Sequence, residues 1–420
     1  MVLFFLLCFF HFYYTYFFSH LLVNSQVFLT SKKKTQIFEL SAMDEKVDWS
    51  HLPKELWSKI GKYLDNHIDI LRFRSVCELF HSSIPPSLPN SPSFPLQIPC
   101  TIPVSLYNYL HQSTIYLIEP TNASSNFNLP PLAPSDTKGW LIKVEESKNN
   151  PLKSLLSPIS DCKLSYPLDS NNSSPIIWNL LNYRVTELCK SYTFQKTLYS
   201  PSFVSKVVFY PNSPWINVGD CVACCIFQEG KLGFMKYGDT KWKLVDENNF
   251  YYDDVIVFKG QFYVTDKWGT ISWIDISSLR LIQFSPPLCG FGNKKHLVES
   301  CGNLYVVDRY YEGENMRRNN VGRHHDGDAV VECFKVYMLD EEWGKWVDVK
   351  NLRDRAFVLS RSCNFSVSAK ELIGYQGNCI YFKDTFNVRM YNLDDNIITT
   401  VDFDPCIDKT LWSHSRWMRC

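Results

Sequence analysis

The spacing of hydrophobic positions changes once along this chain, near Pro86. Before that point Leu52, Leu56, Ile60 and Leu64 recur every four residues and draw one apolar stripe on a helix face. Ser50 is placed to cap this helix, and Pro53 suits its first turn, where a missing N–H leaves no bond unmade. A second apolar set follows at Ile68, Leu71, Val76, Cys77, Phe80 and Ile84, with Arg72, Arg74 and Glu78 between them. Pro85 and Pro86 end it, because the residue before a proline avoids the helical region and proline cannot donate to the helix ladder. The outcome is an all-α unit of about forty residues, near the size below which a lone core needs metal, disulfide or a partner. A partner would cover the apolar stripe that remains.

After Pro86 the pattern is extended. Eleven of the 22 prolines lie between Pro85 and Pro134, which excludes a long helix there and leaves room for short strands such as Ser113 to Pro120. Four later runs align: one from Gly230, one from Gly260, one from Gly302 resuming at Phe334, and one from Gly377. Each opens on Gly, continues through aromatic and β-branched residues, turns at a charged or Gly pair, and runs again. Gly260, Tyr263 and Asp266 match Gly302, Tyr305 and Asp308 in offset, while the Gly377 run slips by one at Asp384. Repeated hairpins of this kind build a propeller or a large sandwich, and runs that are apolar on both faces, "QFYVT" and "NLYVV", suit sheets flanked by other sheets. Taking residues 100–405 as the domain and about 45 residues per blade, a β-propeller of about six or seven blades is expected.

Composition narrows the function. A chain of 420 residues exceeds one small core, and 43 basic residues balance 43 acidic ones, so no global charge draws it to nucleic acid or anionic lipid. Aromatic residues at 15% favour strands over helical bundles. Fifteen cysteines form an odd set without repeating spacing, which points to reduced thiols and a cytoplasmic or nuclear setting. Residues 1–42 are a separate matter: the first thirty carry no Asp, Glu, Lys or Arg and lack a basic n-region. They read as an upstream extension before a true start at Met43, as a membrane anchor with Lys32 to Lys34 held cytoplasmic, or as a cleaved signal.

The passage "DWSHLPKELWSKIGKYL" followed by "DILRFRSVCELFHSSIPP" resembles a plant F-box, with Leu52-Pro53, Arg72 to Cys77 and the closing "SSIPP" in register. The family usually places Trp and a basic residue where this chain has Phe80 and His81. "GWL" at Gly139 to Leu141, "FKGQFYVTDKWGTI", "HLVESCGNLYVVDRY", "FKVYMLD", "WVDV" and "YQGNCIYFKD" are similar to the kelch-like associated domain that follows the F-box in plant KIB- and SKIP-type proteins. The resemblance implies an F-box over 47–86, a Pro-rich linker over 87–99, a kelch-like propeller over 100–405 and a tail over 406–420. It also implies docking to a Skp-type adaptor and, through it, a cullin, with Leu52, Pro53, Leu56, Ile60, Val76, Cys77 and Phe80 as adaptor contacts or as internal core of the helical unit. The expected role is substrate receptor of an SCF (Skp-cullin-F-box) ubiquitin ligase, itself non-catalytic and without cofactor; the alternative is an F-box-derived scaffold acting without a ligase.

Other chemistry is thin. "CVACC" at Cys221 to Cys225 has no second Cys or His pair at zinc-ligand spacing and reads as buried structural thiols. The polar insertion that splits one repeat carries Arg317, Arg318, Arg323, His324 and His325, a loop suited to reading an acidic or phosphorylated protein target. No Gly-x-Ser-x-Gly elbow, P-loop or His-Glu-x-x-His occurs, and Gly290-Phe291-Gly292 lacks the third Gly of a dinucleotide turn.

Overall fold

The computed structural model describes residues 53–98, 108–120, 138–146, 154–163, 183–194, 204–227, 230–246, 251–288, 290–312, 330–384 and 387–401. Residues 1–52, including Ser50, Leu52 and the N-terminal extension, lie outside the described residues, as does the tail after 401. From Pro53 onward the chain is one compact unit.

Among the described residues three short helices come first: α1 (Lys54–Gly61), α2 (His67–Ser75) and α3 (Glu78–Ser83). Asn66 caps α2 by accepting the Asp69 N–H at 2.8 Å, which satisfies a donor that every helix start leaves open. Arg74, in the last turn of α2, donates to the carbonyls of His81, at 2.9 Å, and Ile84, so one guanidinium ties off the end of α3. The core of the unit is aromatic. Phe80 lies between Trp57 and Phe73, with ring centroids 4.1 and 4.7 Å away. Gly61 allows the last segment to close over α1, since a Cβ there would stand 2.6 Å from Ile84 Cγ2.

Twenty-two strands follow among the described residues, in five sheets, each a blade. Blade 1 holds β1 (Leu96–Ile98), β2 (Asn108–Pro120), β3 (Trp140–Glu145), β4 (Ser154–Leu156) and β5 (Tyr183–Phe194). Blade 2 holds β6 (Val204–Tyr210), β7 (Val222–Phe227), β8 (Leu232–Lys236) and β9 (Lys243–Leu244). Blade 3 holds β10 (Tyr252–Phe258), β11 (Gln261–Asp266), β12 (Ile271–Asp275) and β13 (Arg280–Gln283). Blade 4 holds β14 (Lys294–Ser300), β15 (Asn303–Tyr311), β16 (Val331–Asp340) and β17 (Lys345–Val349). Blade 5 runs β19 (Asn364–Ser368), β18 (Arg355–Leu359), β20 (Cys379–Lys383), β21 (Val388–Asn392) and β22 (Ile398–Val401), with β18 and β20 parallel.

Each junction between neighbouring blades has its own apolar core. Leu110 and Phe94 meet Val207 and Phe209 between blades 1 and 2; Cys224 and Phe234 meet Val255 and Phe262 between blades 2 and 3. Phe258 and Ile271 meet Leu297 and Val306 between blades 3 and 4, and Val307 and Phe334 meet Phe357 and Phe382 between blades 4 and 5. The fifth core joins last to first, Ile115 and Leu141 against Val358 and Tyr381. Main chain closes the same junction: Gly139 N donates to Glu371 O at 2.7 Å and Ile373 N to Gly139 O at 2.9 Å. Only glycine fits at 139, because a Cβ would lie 2.5 Å from Ile118 O.

The ring therefore has five blades, not six or seven. Dividing a length by an average failed because the blades are unequal: blade 3 occupies 252–283, while blade 1 takes 96–194 and draws in long connectors. The ring also starts at Leu96, inside the segment read as linker, because β1 pairs with β2. The matched glycines have a common cause. Lys259-Gly260 and Cys301-Gly302 both have positive φ at the two turn positions, the two-residue hairpin that fits strand twist, and each joins a first strand to a second.

At the centre, the inner strands are bound by polar contacts. Asp254 on β10 accepts from Leu297 N of β14 at 2.7 Å and from Asn364 Nδ2 of β19 at 2.8 Å, and pairs with Lys206 of β6. Asp254 is 2% exposed, so its charge depends on these partners. Between blades 5 and 1, buried Lys143 bonds Asp161 and Ser362, and Ser360 also reaches Asp161. Asp254→Ala, which strands Lys206 and the Leu297 N–H, is expected to cost about 3–5 kcal/mol in chemical denaturation. Adding Lys206→Met should recover part of that loss.

Asp253 beside it supplies a pH test. It is held up to about 7 from an ordinary 3.8, by burial against the opposing Lys295 N–H and lysine charges. A carboxyl with a raised folded pKa binds its proton better folded than unfolded, so its contribution is full near pH 4 and is lost as pH rises through 7. Asp253→Asn should remove that decline, measured as unfolding free energy from pH 4.5 to 7.5.

Candidate docking unit and the far face of the ring

Of the predicted apolar stripe, Leu56 is turned outward, while Ile60 and Leu64 are half-buried. On α1 it is Trp57 and Gly61 that face the core, while Leu56 is 40% exposed and Pro53 is exposed. Val76 is likewise half-buried and Cys77 is exposed, and Tyr63 and Leu71 are further exposed apolar residues of the same unit. Phe80 differs: at 7% exposure it belongs to the internal core, not to the surface. Leu52 lies outside the described residues.

This unit is fastened to the ring. Trp215 Nε1, on the β6–β7 connection, donates to Leu64 O at 2.7 Å; Leu88 N donates to Pro214 O and Val218 N to Asn90 O. Ile68 packs against the outer core of blade 1 formed by Ile118, Ile142 and Val185. Sequence periodicity contained no signal for Trp215, whose role depends on a contact between residues 151 positions apart.

The contacts at the centre orient the two faces. Asp253 meets Lys295, Asp254 meets Leu297, Asn364 meets Leu297 and Ser366 meets Ser300, so β10, β14 and β19 run in one sense. Gly260, just after β10, lies against the Tyr210 hydroxyl at the end of β6, so β6 ends on that face too. The β6–β7 connection and its attached helices therefore mark one face. The opposite face carries the starts of the inner strands and exposed aromatics: Tyr251 and Trp268, 46% and 47% exposed, with Lys267 Nζ 3.6 and 4.7 Å from their ring centroids, and Phe291, 66% exposed. The β15–β16 insertion with Arg317, Arg318, Arg323, His324 and His325 lies outside the described residues.

The thiols divide by strand period. Cys221 and Cys225 enter the core between blades 1 and 2, and Cys224 the core between blades 2 and 3. Burial pushes Cys221 up to about 12 and raises Cys224 and Cys225 further, away from the thiolate that metal ligation requires. Cys189 of β5 packs beside Cys363 in the core between blades 5 and 1, and that thiol together with the nearby Lys143 ammonium holds Cys363 below its ordinary value. Asn364, a sequon by sequence, is buried and committed to Asp254.

Comparison with known proteins is consistent with this architecture. Residues 109–396 match the family model of the KIB1-4 beta-propeller. The F-box protein SKIP23 of Arabidopsis thaliana is 32% identical over 372 residues, covering 83% of this chain and 86% of that protein. F-box protein At4g35733 is 29% identical over 378 residues, with coverage of 86% and 95%, and putative F-box protein At1g65770 is 30% identical over 361 residues, with coverage of 83% and 92%, both from the same plant.

Truncating the buried aromatic tests its placement. Phe80→Ala should cost the helical unit about 3–5 kcal/mol. Hydrogen exchange would show faster exchange across α1–α3 while the inner strands of the ring stay protected.

Proposed function

The chain belongs to the KIB1-4 β-propeller family of plant F-box proteins, and from that premise we propose that it is the substrate-recognition subunit of an SCF ubiquitin ligase in the cytoplasm or nucleus. The observation that carries the reading is the outward apolar surface of a helical unit whose own core is already filled. Leu56, Leu71 and Tyr63 leave water only if another molecule covers them, and helix laid on helix is the mode that such a surface suits. The Skp-type adaptor is that partner and the cullin follows through it. Pro53, Ile60, Val76 and Cys77 flank the contact, with Leu52 completing the Leu-Pro pair.

The ring then holds the target. Its helix-free face is on the side away from the adaptor, so adaptor and target are held apart by the ring's thickness. The receptor contributes no bond-making step in this reading; it raises the effective concentration of target lysines near the conjugating enzyme. The scaffold alternative drew its support from Phe80 in place of Trp. Because Phe80 packs inward against Trp57 and Phe73, that exchange takes nothing from the exposed surface.

Pull-down of the full-length chain with a Skp-type adaptor and cullin tests the assignment. Leu56→Asp with Leu71→Asp should reduce captured adaptor at least about tenfold with the melting temperature unchanged, since two buried charges at an interface each cost more than 1.4 kcal/mol. Unaltered capture would exclude this surface as the adaptor site.

A further inference from the structure

Lys294 of β14 stands directly opposite Arg309 of β15, and His296 stands opposite Val307 two positions along. Partners in an antiparallel ladder share a face, so all three project into the groove between blades 4 and 5, at the starts of the inner strands. The arginine confirms that direction: its guanidinium carbon lies 5.0, 5.8 and 5.2 Å from the ring centroids of Tyr311, Phe334 and Phe382. Like charges set directly opposite one another weaken a ladder, so a Lys–Arg pair at this register breaks a local rule. Such breaks collect at functional sites.

The neighbouring charges are already compensated. Lys206 pairs with Asp254 and Lys295 with Asp308. Arg309 pairs with no carboxylate among the described residues, and its buried Nε has no hydrogen-bond partner. Nε2 of His296, a residue only 8% exposed, is likewise buried without a partner. Burial first, then the charges of Lys294, Arg309, Lys206 and Lys295, hold this imidazole well below its ordinary range and keep it neutral. Two acids approach from the flanking blades and neither is available. Asp253 accepts the Lys295 N–H at 2.8 Å and is itself pushed up to about 7 by burial, and Asp384 pairs with Arg389 at 3.0 Å.

We propose that this groove on the helix-free face binds a phosphate monoester carried by a partner protein, with Arg309 as the fork and His296 as the second donor. A guanidinium offers paired N–H groups matched to two oxygens of one phosphate, and the rings beneath it hold the plane in place. The dianion suits the site better than a carboxylate. Its charge meets the permanent cations Arg309 and, directly opposite it, Lys294, and one that forms on binding, because an adjacent phosphate makes it favourable for His296 to take up a proton. That the phosphate arrives on a target protein rests on the substrate-receptor reading; that the groove binds phosphate does not.

The test titrates the full-length chain with inorganic phosphate, a phosphoserine peptide, its unphosphorylated counterpart and a free inositol phosphate, using calorimetry in two buffers of different ionisation heat. Inorganic phosphate and the phosphopeptide should bind with proton uptake, Arg309→Met should weaken both at least about tenfold, and His296→Asn should abolish the proton uptake. Arg309→Lys controls for folding and should retain part of the affinity, with loss of the fork. Equal affinity for the two peptides, or wild-type phosphate binding by Arg309→Met, would overturn the site. Tighter binding of the inositol phosphate than of the phosphopeptide would overturn the protein-borne source. Adaptor capture by Arg309→Met should match wild type, so a failed site and a failed receptor assignment give different results.

Discussion

The Asp254 carboxylate is the contact on which the ring depends. A closed set of sheets has no covalent fastening, and apolar cores between neighbours are tolerant of sliding because burial is non-directional. Hydrogen bonds are not tolerant, and Asp254 makes them to two other blades while pairing with a lysine from a third. Holding a charge at 2% exposure is costly unless each partner is in place, so any shift of blade 2, 4 or 5 against blade 3 exposes that cost. The cores supply most of the area. The buried ion supplies the register.

Closure between blade 5 and blade 1 repeats this division of labour. Apolar residues from both sheets fill the junction, and Gly139 then fixes the offset by exchanging two main-chain bonds with the segment around Leu372. Lys143, Asp161, Ser360 and Ser362 add a second polar contact at the same junction. A ring fixed at its centre and at its closing junction can carry a helical unit on one face without relaying strain to the other. The Trp215 indole joins that unit to a connection leaving the inner strand β6.

Much of this was legible in the residues and some was not. The change of period at Pro86, the hairpin glycines and the two-faced apolar runs each have a local cause, so Gly260 and Gly302 could be matched before any sheet was visible. Blade number is not local. It depends on how residues 96–194 distribute one sheet over long connectors, and no average repeat length contains that information. The helix stripe shows a second limit. Leu56 and Ile60 have the right spacing for a core, yet Trp57 is larger and takes the inward position, so periodicity located the face and left its direction open. Asp254 and Arg309 could not have been singled out by pattern at all, and the Asn-x-Ser pattern at Asn364 says nothing of its role, since their meaning is set by strands up to 110 positions away.

The inward turn of Phe80 changes how the departure from the F-box pattern is weighed. An aromatic residue in the last helix can act through its ring, as a core wedge, or through an indole N–H presented to a partner. Here the ring is stacked on Phe73 at an interplanar angle of 17° and tilted against Trp57, and both neighbours belong to the same unit. Replacing indole by phenyl at such a position changes core volume, an effect that neighbouring aromatics can absorb by repacking. Presentation of the apolar surface instead depends on α1 keeping Leu56 outward, and that orientation follows from Trp57 being anchored beneath it. The wedge and the outward apolar residues are therefore coupled through one helix, and in the proposed docking Phe80 acts on the partner by keeping α1 in place.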